Sequence, residues 1–176
     1  MIKLFPQNGL LIALILALAS STGIAQTTQK GQFLAGGSIG FASISSDDAP
    51  SSTVIQLAPG VGIMATDRLG LGADLLYVRE SSDNITYTAY GFSPFIRYYI
   101  YKGLFPQFQY TWLNIKEKGG FFDDSRSDSG YEISVGYTSF LSPSVALEPS
   151  VFYMSFDDEN IIGLRVAFRI FLGGGE

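Results

Sequence analysis

The sequence predicts an all-β protein, an eight-stranded antiparallel up-and-down β-barrel that spans a membrane. Apolar side chains recur at every second position over most of the chain, which is the period of a strand. Short and long polar connections alternate between these segments, as they do in transmembrane barrels. The composition combines 47% hydrophobic and 14% aromatic residues with 15% charged ones. Soluble domains usually carry about 25% charged residues, so this balance favours a protein that faces lipid.

The first 25 residues have the features of an export signal. Lys3 supplies a positive charge, and an unbroken apolar run of 10 residues extends from Leu10 to Ala19. At 1.5 Å per residue this run is too short to cross a bilayer of about 30 Å. Small residues at Gly23 and Ala25 form a cleavage site before Gln26. The sequence therefore predicts a secretory signal peptide over 1–25 and a barrel domain over 26–176, with a retained membrane anchor as the alternative.

The last predicted strand shows the alternation best. One face carries only apolar side chains, at Ile162, Leu164, Val166, Phe168, Ile170 and Leu172. The other face carries Gly163, Arg165, Ala167 and Arg169, and Phe171 breaks the pattern. The same period predicts seven earlier strands, near 32–44, 53–64, 69–79, 86–99, 104–115, 129–139 and 145–155. The long polar connections are predicted near 45–52, 80–85, 116–128 and 156–160.

The bulky apolar face is predicted to point outward. An eight-stranded barrel has room inside for little more than close-packed side chains, which suits the small and polar face. Aromatic side chains on the outward face are predicted to form two girdles, with Tyr77, Tyr110, Trp112, Tyr131 and Tyr153 toward the long connections and Tyr98, Tyr137 and Phe140 toward the short turns. Four prolines cannot donate to a ladder, so bulges or gaps are predicted at Pro59, Pro94, Pro106 and Pro149.

Several motifs carry a family resemblance. Pro94-Phe95-Ile96-Arg97-Tyr98-Tyr99 precedes a short turn, Leu104-Phe105-Pro106 follows it, and an aromatic alternating strand ends at Phe171. With the eight-strand pattern, these residues resemble the small outer-membrane β-barrel family of the OmpA-transmembrane and OmpX type, over nearly all of 31–172. The resemblance implies an integral protein of the Gram-negative cell outer membrane, whose last strand is read by the barrel-insertion machinery. Members of this family serve as membrane-stabilising, adhesive or narrow-pore proteins, and a few are enzymes.

Six charged residues on the inward face form the candidate site, with acids at Asp74, Glu132 and Glu148 and bases at Arg97, Arg165 and Arg169. Glu148 is predicted to lie opposite Arg165 and Arg169 on the neighbouring strand. The guanidinium fork pairs well with carboxylates, so the sequence predicts a charged plug that neutralises itself. A narrow pore lined by the same residues is the alternative.

No catalytic, cofactor-binding or metal site is predicted. The chain has neither cysteine nor histidine, which removes thiolate chemistry and the commonest general base. Its basic residues do not gather into a run, so nucleic acid is not an expected partner. Eleven of the sixteen acids fall in the long connections, where solvated loop ends are predicted and Ca²⁺ or Mg²⁺ binding is the alternative.

The sequence thus predicts a monomeric structural or surface-interaction barrel that contacts outer-membrane lipid and acts through long extracellular loops, with its termini in the periplasm. A narrow, porin-like passive diffusion channel is the first alternative. A lipid-modifying or otherwise enzymatic barrel is the second.

Overall fold

The computed structural model describes residues 28–46, 49–82, 85–119, 122–156 and 159–174. The predicted signal peptide lies outside these residues, as do the acidic residues Asp47, Asp48, Asp83, Asp157 and Asp158. Within the described ranges, no helix is long and apolar enough to cross a membrane.

The described residues form nine β-strands that make one antiparallel sheet. The strands are β1 (Phe33–Ser46), β2 (Ala49–Met64), β3 (Leu69–Ser82), β4 (Ile85–Tyr98), β5 (Leu104–Gly119), β6 (Phe122–Tyr137), β7 (Ser139–Ser142), β8 (Val145–Phe156) and β9 (Glu159–Leu172). Strands β1 to β6 pair in chain order, β6 then pairs with β8, and β9 pairs with both β8 and β1. The sheet therefore closes into a barrel with eight strand positions, as predicted.

The sixth strand position is shared by β6 and β7. The β6–β8 pairing ends at Gly136, and the β7–β8 pairing begins at Ser139. Between them, the backbone N–H of Thr138 donates to the carbonyl oxygen of Gly103 at 2.9 Å. Pro149 of β8 lies beside this break and has no N–H to give to a ladder. The strand predicted near 129–139 is therefore present as β6 and the first residue of β7, and the gap falls beside Pro149 as predicted.

Ladder gaps accompany the other prolines, as predicted. The β2–β3 pairing is interrupted at Pro59, and the β4–β5 pairing is interrupted at Pro94 and ends beside Pro106. Each proline remains in register with its other neighbour, as Pro94 does with Ala73. The missing donor thus costs one ladder locally without opening the sheet on both sides.

The strands extend much farther than predicted on the side of the long connections. Strand β5 runs to Gly119 and β6 begins at Phe122, so most of the predicted loop at 116–128 is a hairpin. Its extension is tied by cross-strand contacts, because the hydroxyl of Ser127 donates to Asn114 at 3.2 Å. The prediction of a loop is wrong because these strand ends carry polar side chains on both faces, and such a segment has no apolar alternation to mark it as a strand.

The predicted outward face is exposed along the barrel, as shown by Val61, Leu75, Trp112 and Phe168. An aromatic belt crosses β4, β5, β6 and β8, with ring contacts of 4.8–6.5 Å in the pairs Phe92–Trp112, Tyr110–Trp112, Phe108–Tyr131 and Tyr131–Tyr153. Phe140 departs from the predicted second girdle, because its ring packs against buried Phe171 at 5.0 Å.

Candidate functional site

A cluster of buried apolar residues, which we call the apolar plug, lies at the short-turn end of the barrel lumen. Its members are bulky or apolar side chains that come from five strands and from the residue after β4, and they are Leu34, Met64, Tyr99, Phe105, Ala146 and Phe171. The described residues before β1 reinforce this side, since the hydroxyl of Thr28 donates to the carbonyl of Asp67 at 2.6 Å and the N–H of Gly31 donates to the carbonyl of Met64. The prediction of a wholly small or polar inward face is therefore wrong at this end.

A buried charged cluster lies directly on the plug and consists of Arg97, Glu148 and Arg169. One guanidinium nitrogen of Arg97, Nη1, lies 2.9 Å from both carboxylate oxygens of Glu148. Nε of Arg169 donates to the same carboxylate at 3.3 Å, and the hydroxyl of Thr138 donates at 3.0 Å. Arg97 and Glu148 are each only 2% exposed. Glu148 is thus a fully bonded anion between two cations.

Aromatic rings and an amide complete the surroundings of Arg97. Its Nε and Nη2 both donate to the Gln107 side-chain oxygen, at 3.0 and 2.7 Å. Its guanidinium carbon lies 4.3 Å from the ring centre of Phe105 and 5.1 Å from that of Phe95. Because a ring face attracts a cation, these contacts offset part of the cost of burying the charge.

The pairing of Glu148 differs in part from the prediction. Glu148 contacts Arg169, but its closest partner is Arg97, on a strand that is not its neighbour. Arg165 pairs instead with Glu132, through Nη1 to Oε1 at 3.0 Å and Nη2 to Oε2. Arg165 is one-fifth exposed and lies over the Phe152 ring, so this second pair is wetter than the charged cluster.

Asp74 stands apart from both sets of ion pairs. Its Oδ1 is buried without a hydrogen-bond partner, as is Nη1 of Arg169. The carboxylate packs so closely on Gly60 that a β-carbon there would lie 1.7 Å from Oδ1. Asp74, Arg97, Arg169 and the Glu132–Arg165 pair line one lumen cavity of about 60 Å³.

Sequence reasoning missed the inward aromatic residues, although strand parity contains them. Phe95 lies two residues from Arg97, and Phe105 lies two residues from Gln107, so each shares the inward face of its strand. Room for Phe95 exists because a β-carbon at Gly72 would lie 2.5 Å from its ring. Among the described residues, no group of three metal-ligating side chains comes together.

The chain matches the outer membrane protein beta-barrel domain family over residues 11–169. It belongs to this family. The outer-membrane barrel seen in the fold and the charged lumen therefore sit in a known type of protein. No curated protein sequence matches the chain.

Two solved structures are similar in fold to this outer-membrane barrel. The N-terminal β-barrel domain of Pseudomonas aeruginosa OprF has 11% identity and a TM-score of 0.52, and the match covers 84% of this chain and 100% of that one. The Yersinia pestis outer membrane protein Ail, in a phospholipid bilayer nanodisc, has 12% identity and a TM-score of 0.50, covering 81% and 100%. At these identities the similarity shows the fold alone.

Proposed function

We propose that this outer-membrane barrel has a blocked lumen and serves a structural or surface-interaction role through the ends of its long hairpins. The buried cluster of Arg97, Glu148 and Arg169 carries the proposal. It fills the lumen above the apolar plug, and its carboxylate has no bonding capacity left for a passing ion. A stack of apolar and paired charged layers supports a lumen that is closed to water and ions at this level.

The proposed orientation follows from the connections. The turns at 65–68, 101–103 and 143–144 lie at the same end as both described chain ends, and short turns face the periplasm in barrels of this type. The long hairpins then project from the cell, and 1–25 is removed as a signal peptide. We propose a monomer that contacts outer-membrane lipid, is inserted by the barrel-insertion machinery, and needs no cofactor or nucleic acid. Catalysis forms no part of the proposal, because a chain without histidine lacks the commonest general base.

A narrow diffusion channel is the second candidate, and the lumen cavity is the observation that favours it. Asp74 and Arg169 each present an unbonded buried atom, and both residues line the cavity beside the wetter Glu132–Arg165 pair. A rearrangement of the charged cluster would join this space to the short-turn end. The apolar plug argues against this function, since it lies beyond the cluster.

Ion conductance tests the two candidates directly. Residues 26–176, refolded into a planar bilayer, should show no conductance above that of the bare bilayer. Heat-denatured protein added in the same detergent is the control. Discrete conductance steps that change when Glu148 or Arg165 is neutralised would make the protein a narrow channel instead.

A further inference from the structure

The first and last strands of the barrel are paired over only part of their length. Pairing between β1 and β9 runs from Phe33, opposite Leu172, to Ser38, opposite Ala167, and then ends. Strand β1 continues to Ser46 against β2, and β9 is paired with β8 from its first residue. Among the described residues, positions 39–46 and 159–166 therefore have a partner strand on one side only. We call this gap the seam.

Side-chain exposure marks the same place. Ile39 on β1 is 80% exposed and Ile162 on β9 is 73% exposed, the two highest values among the large apolar side chains described. By contrast, the β3–β4 pairing is continuous from Leu69 to Ser82. The seam is thus a local feature of one strand pair and not a general fraying of the long hairpins.

A glycine stands where the strands begin to part. Gly37 has a φ of 153°, and a β-carbon there would lie 2.2 Å from the carbonyl oxygen of Ala58. L side chains rarely adopt this conformation, so the divergence of β1 from β9 depends on glycine. A glycine at position 37 is therefore required for the two strands to diverge here.

An apolar groove lies on the outer surface at the closed end of the seam, with a volume of about 570 Å³. Its walls are Ile39, Leu57, Pro59, Leu147, Val166 and Phe168. Its floor consists of the small residues Gly37, Ser38 and Ala167, which also line the lumen cavity. The groove and the polar lumen are hence separated by small side chains alone.

The position of the groove in the membrane indicates which molecule can occupy it. A tilted strand crosses a bilayer in about 10 residues, so the unpaired part of β1 begins within the hydrocarbon. Unpaired backbone N–H and C=O groups are strongly disfavoured in hydrocarbon, whereas the apolar walls of the groove are favoured there. A phospholipid fits this place, because its acyl chain suits an apolar groove and its phosphate and ester oxygens can accept hydrogen bonds from unpaired backbone N–H groups of the strand edges.

We propose that the seam is a lateral lipid-binding site that takes one phospholipid from the surrounding membrane. One acyl chain occupies the groove over Gly37 and Ala167. The head group lies toward the long hairpins, against the unpaired edges of β1 and β9. Arg165, on the unpaired part of β9 and partly exposed, stands behind it in the lumen. This site is independent of whether the lumen conducts ions.

Photo-cross-linking tests the site in the whole protein. The barrel is reconstituted in phosphatidylcholine vesicles doped with phosphatidylcholine that carries a diazirine at the end of one acyl chain, and the adducts are mapped by mass spectrometry. Adducts at 36–39 and 165–168 should exceed those on the outward side chains of β3 and β4 roughly tenfold, a preference of about 1.4 kcal/mol. An even distribution around the barrel would overturn the proposal.

A variant whose seam can be closed by a covalent link tests whether the lipid binds at the seam. If the β1–β9 register continued, Ile39 would lie opposite Val166, so Ile39→Cys with Val166→Cys can bridge the seam in a chain without other cysteines. A short bis-maleimide bridges the pair where a disulfide cannot reach. The matched control is Leu71→Cys with Ile96→Cys, which are directly opposite on β3 and β4.

Bridging the seam should remove the enrichment of adducts, and reducing the disulfide should restore it, while the control pair should leave it unchanged. Enrichment that persists after bridging would refute the site. Covalent dimers formed when the two single-cysteine variants are mixed, together with loss of lipid adducts, would refute it in favour of strand pairing between two copies.

Discussion

The two halves of the lumen are built on opposite principles. At the short-turn half, the apolar plug and the cluster of Arg97, Glu148 and Arg169 are almost fully buried, and the Glu148 carboxylate is bonded on both oxygens. In the other half, Glu132 pairs with a partly exposed arginine, the buried Oδ1 of Asp74 has no hydrogen-bond partner, and the β1–β9 ladder has ended. Side chains in the short-turn half are therefore more completely buried and bonded, and we call it the locked half. The other half has fewer bonds and more exposure, and we call it the adjustable half.

The largest expected effect is at the locked half. Glu148→Ala leaves two buried guanidiniums without a carboxylate and should lower the free energy of unfolding by about 3–5 kcal/mol. Glu132→Ala should cost less, about 1–2 kcal/mol, because Arg165 can turn to water. Urea unfolding in phospholipid vesicles, followed by the fluorescence of Trp112, measures both, since it is the only tryptophan. Equal losses would remove the distinction between the halves.

An intermediate effect is expected at the turn below the plug. Lys102 and Gly103 both have positive φ, at 40° and 91°, as a two-residue type I′ turn requires. A β-carbon on Gly103 would lie 2.6 Å from the carbonyl oxygen of Thr138. Gly103→Ala should therefore cost about 1–3 kcal/mol in the same unfolding assay.

The control for that turn is Gly31→Ala. Gly31 also has a positive φ, 85°, but nothing lies within 4 Å of its β-carbon position. It carries the backbone strain without the clash, so it should cost clearly less. A Gly103 variant no worse than the Gly31 variant would show that the contact with Thr138 does not fix the strand break.

The smallest effect is expected in the adjustable half, at Asp74. Its Oδ1 accepts no hydrogen bond, so Asp74→Asn removes a charge without breaking a bond to that atom and should change the unfolding free energy by less than about 1 kcal/mol. Glu148→Gln makes the same chemical change at a fully bonded carboxylate and should cost more. A large loss at Asp74 would mean that its charge holds the lumen cavity together.

The strand faces could be predicted from the sequence because side chains alternate strictly along a strand. Parity also assigns Phe95 and Phe105 to the lumen, had it been extended through every strand. The bond between Arg97 and Glu148 could not be predicted, because β4 and β8 are not neighbours and their side chains meet only across the lumen. Adjacent-strand registers, which turns specify, carry no information about such contacts.

The strand ends and the seam could not be predicted for a related reason. Period-two patterning weakens where both faces are polar, which hid the hairpin beyond Lys116. The β1–β9 pairing joins the two most distant strands of the chain, so no turn fixes where it stops. The residue where the strands part, Gly37, cannot be told from other small residues by sequence alone, because its positive φ is a property of the folded chain.

Strands β5 and β6 have 16 residues each, about six more than a tilted strand needs to cross the bilayer. At 3.3 Å per residue and a 45° tilt, this excess lifts the end of the hairpin roughly 15 Å above the hydrocarbon core, which is beyond the head-group layer. The length of the two strands fixes how far the end of the hairpin stands above the membrane, and the alternation of side chains fixes which way its surface faces. Inserting two residues in each strand would raise it by about 5 Å and keep its facing, whereas inserting one would turn it around.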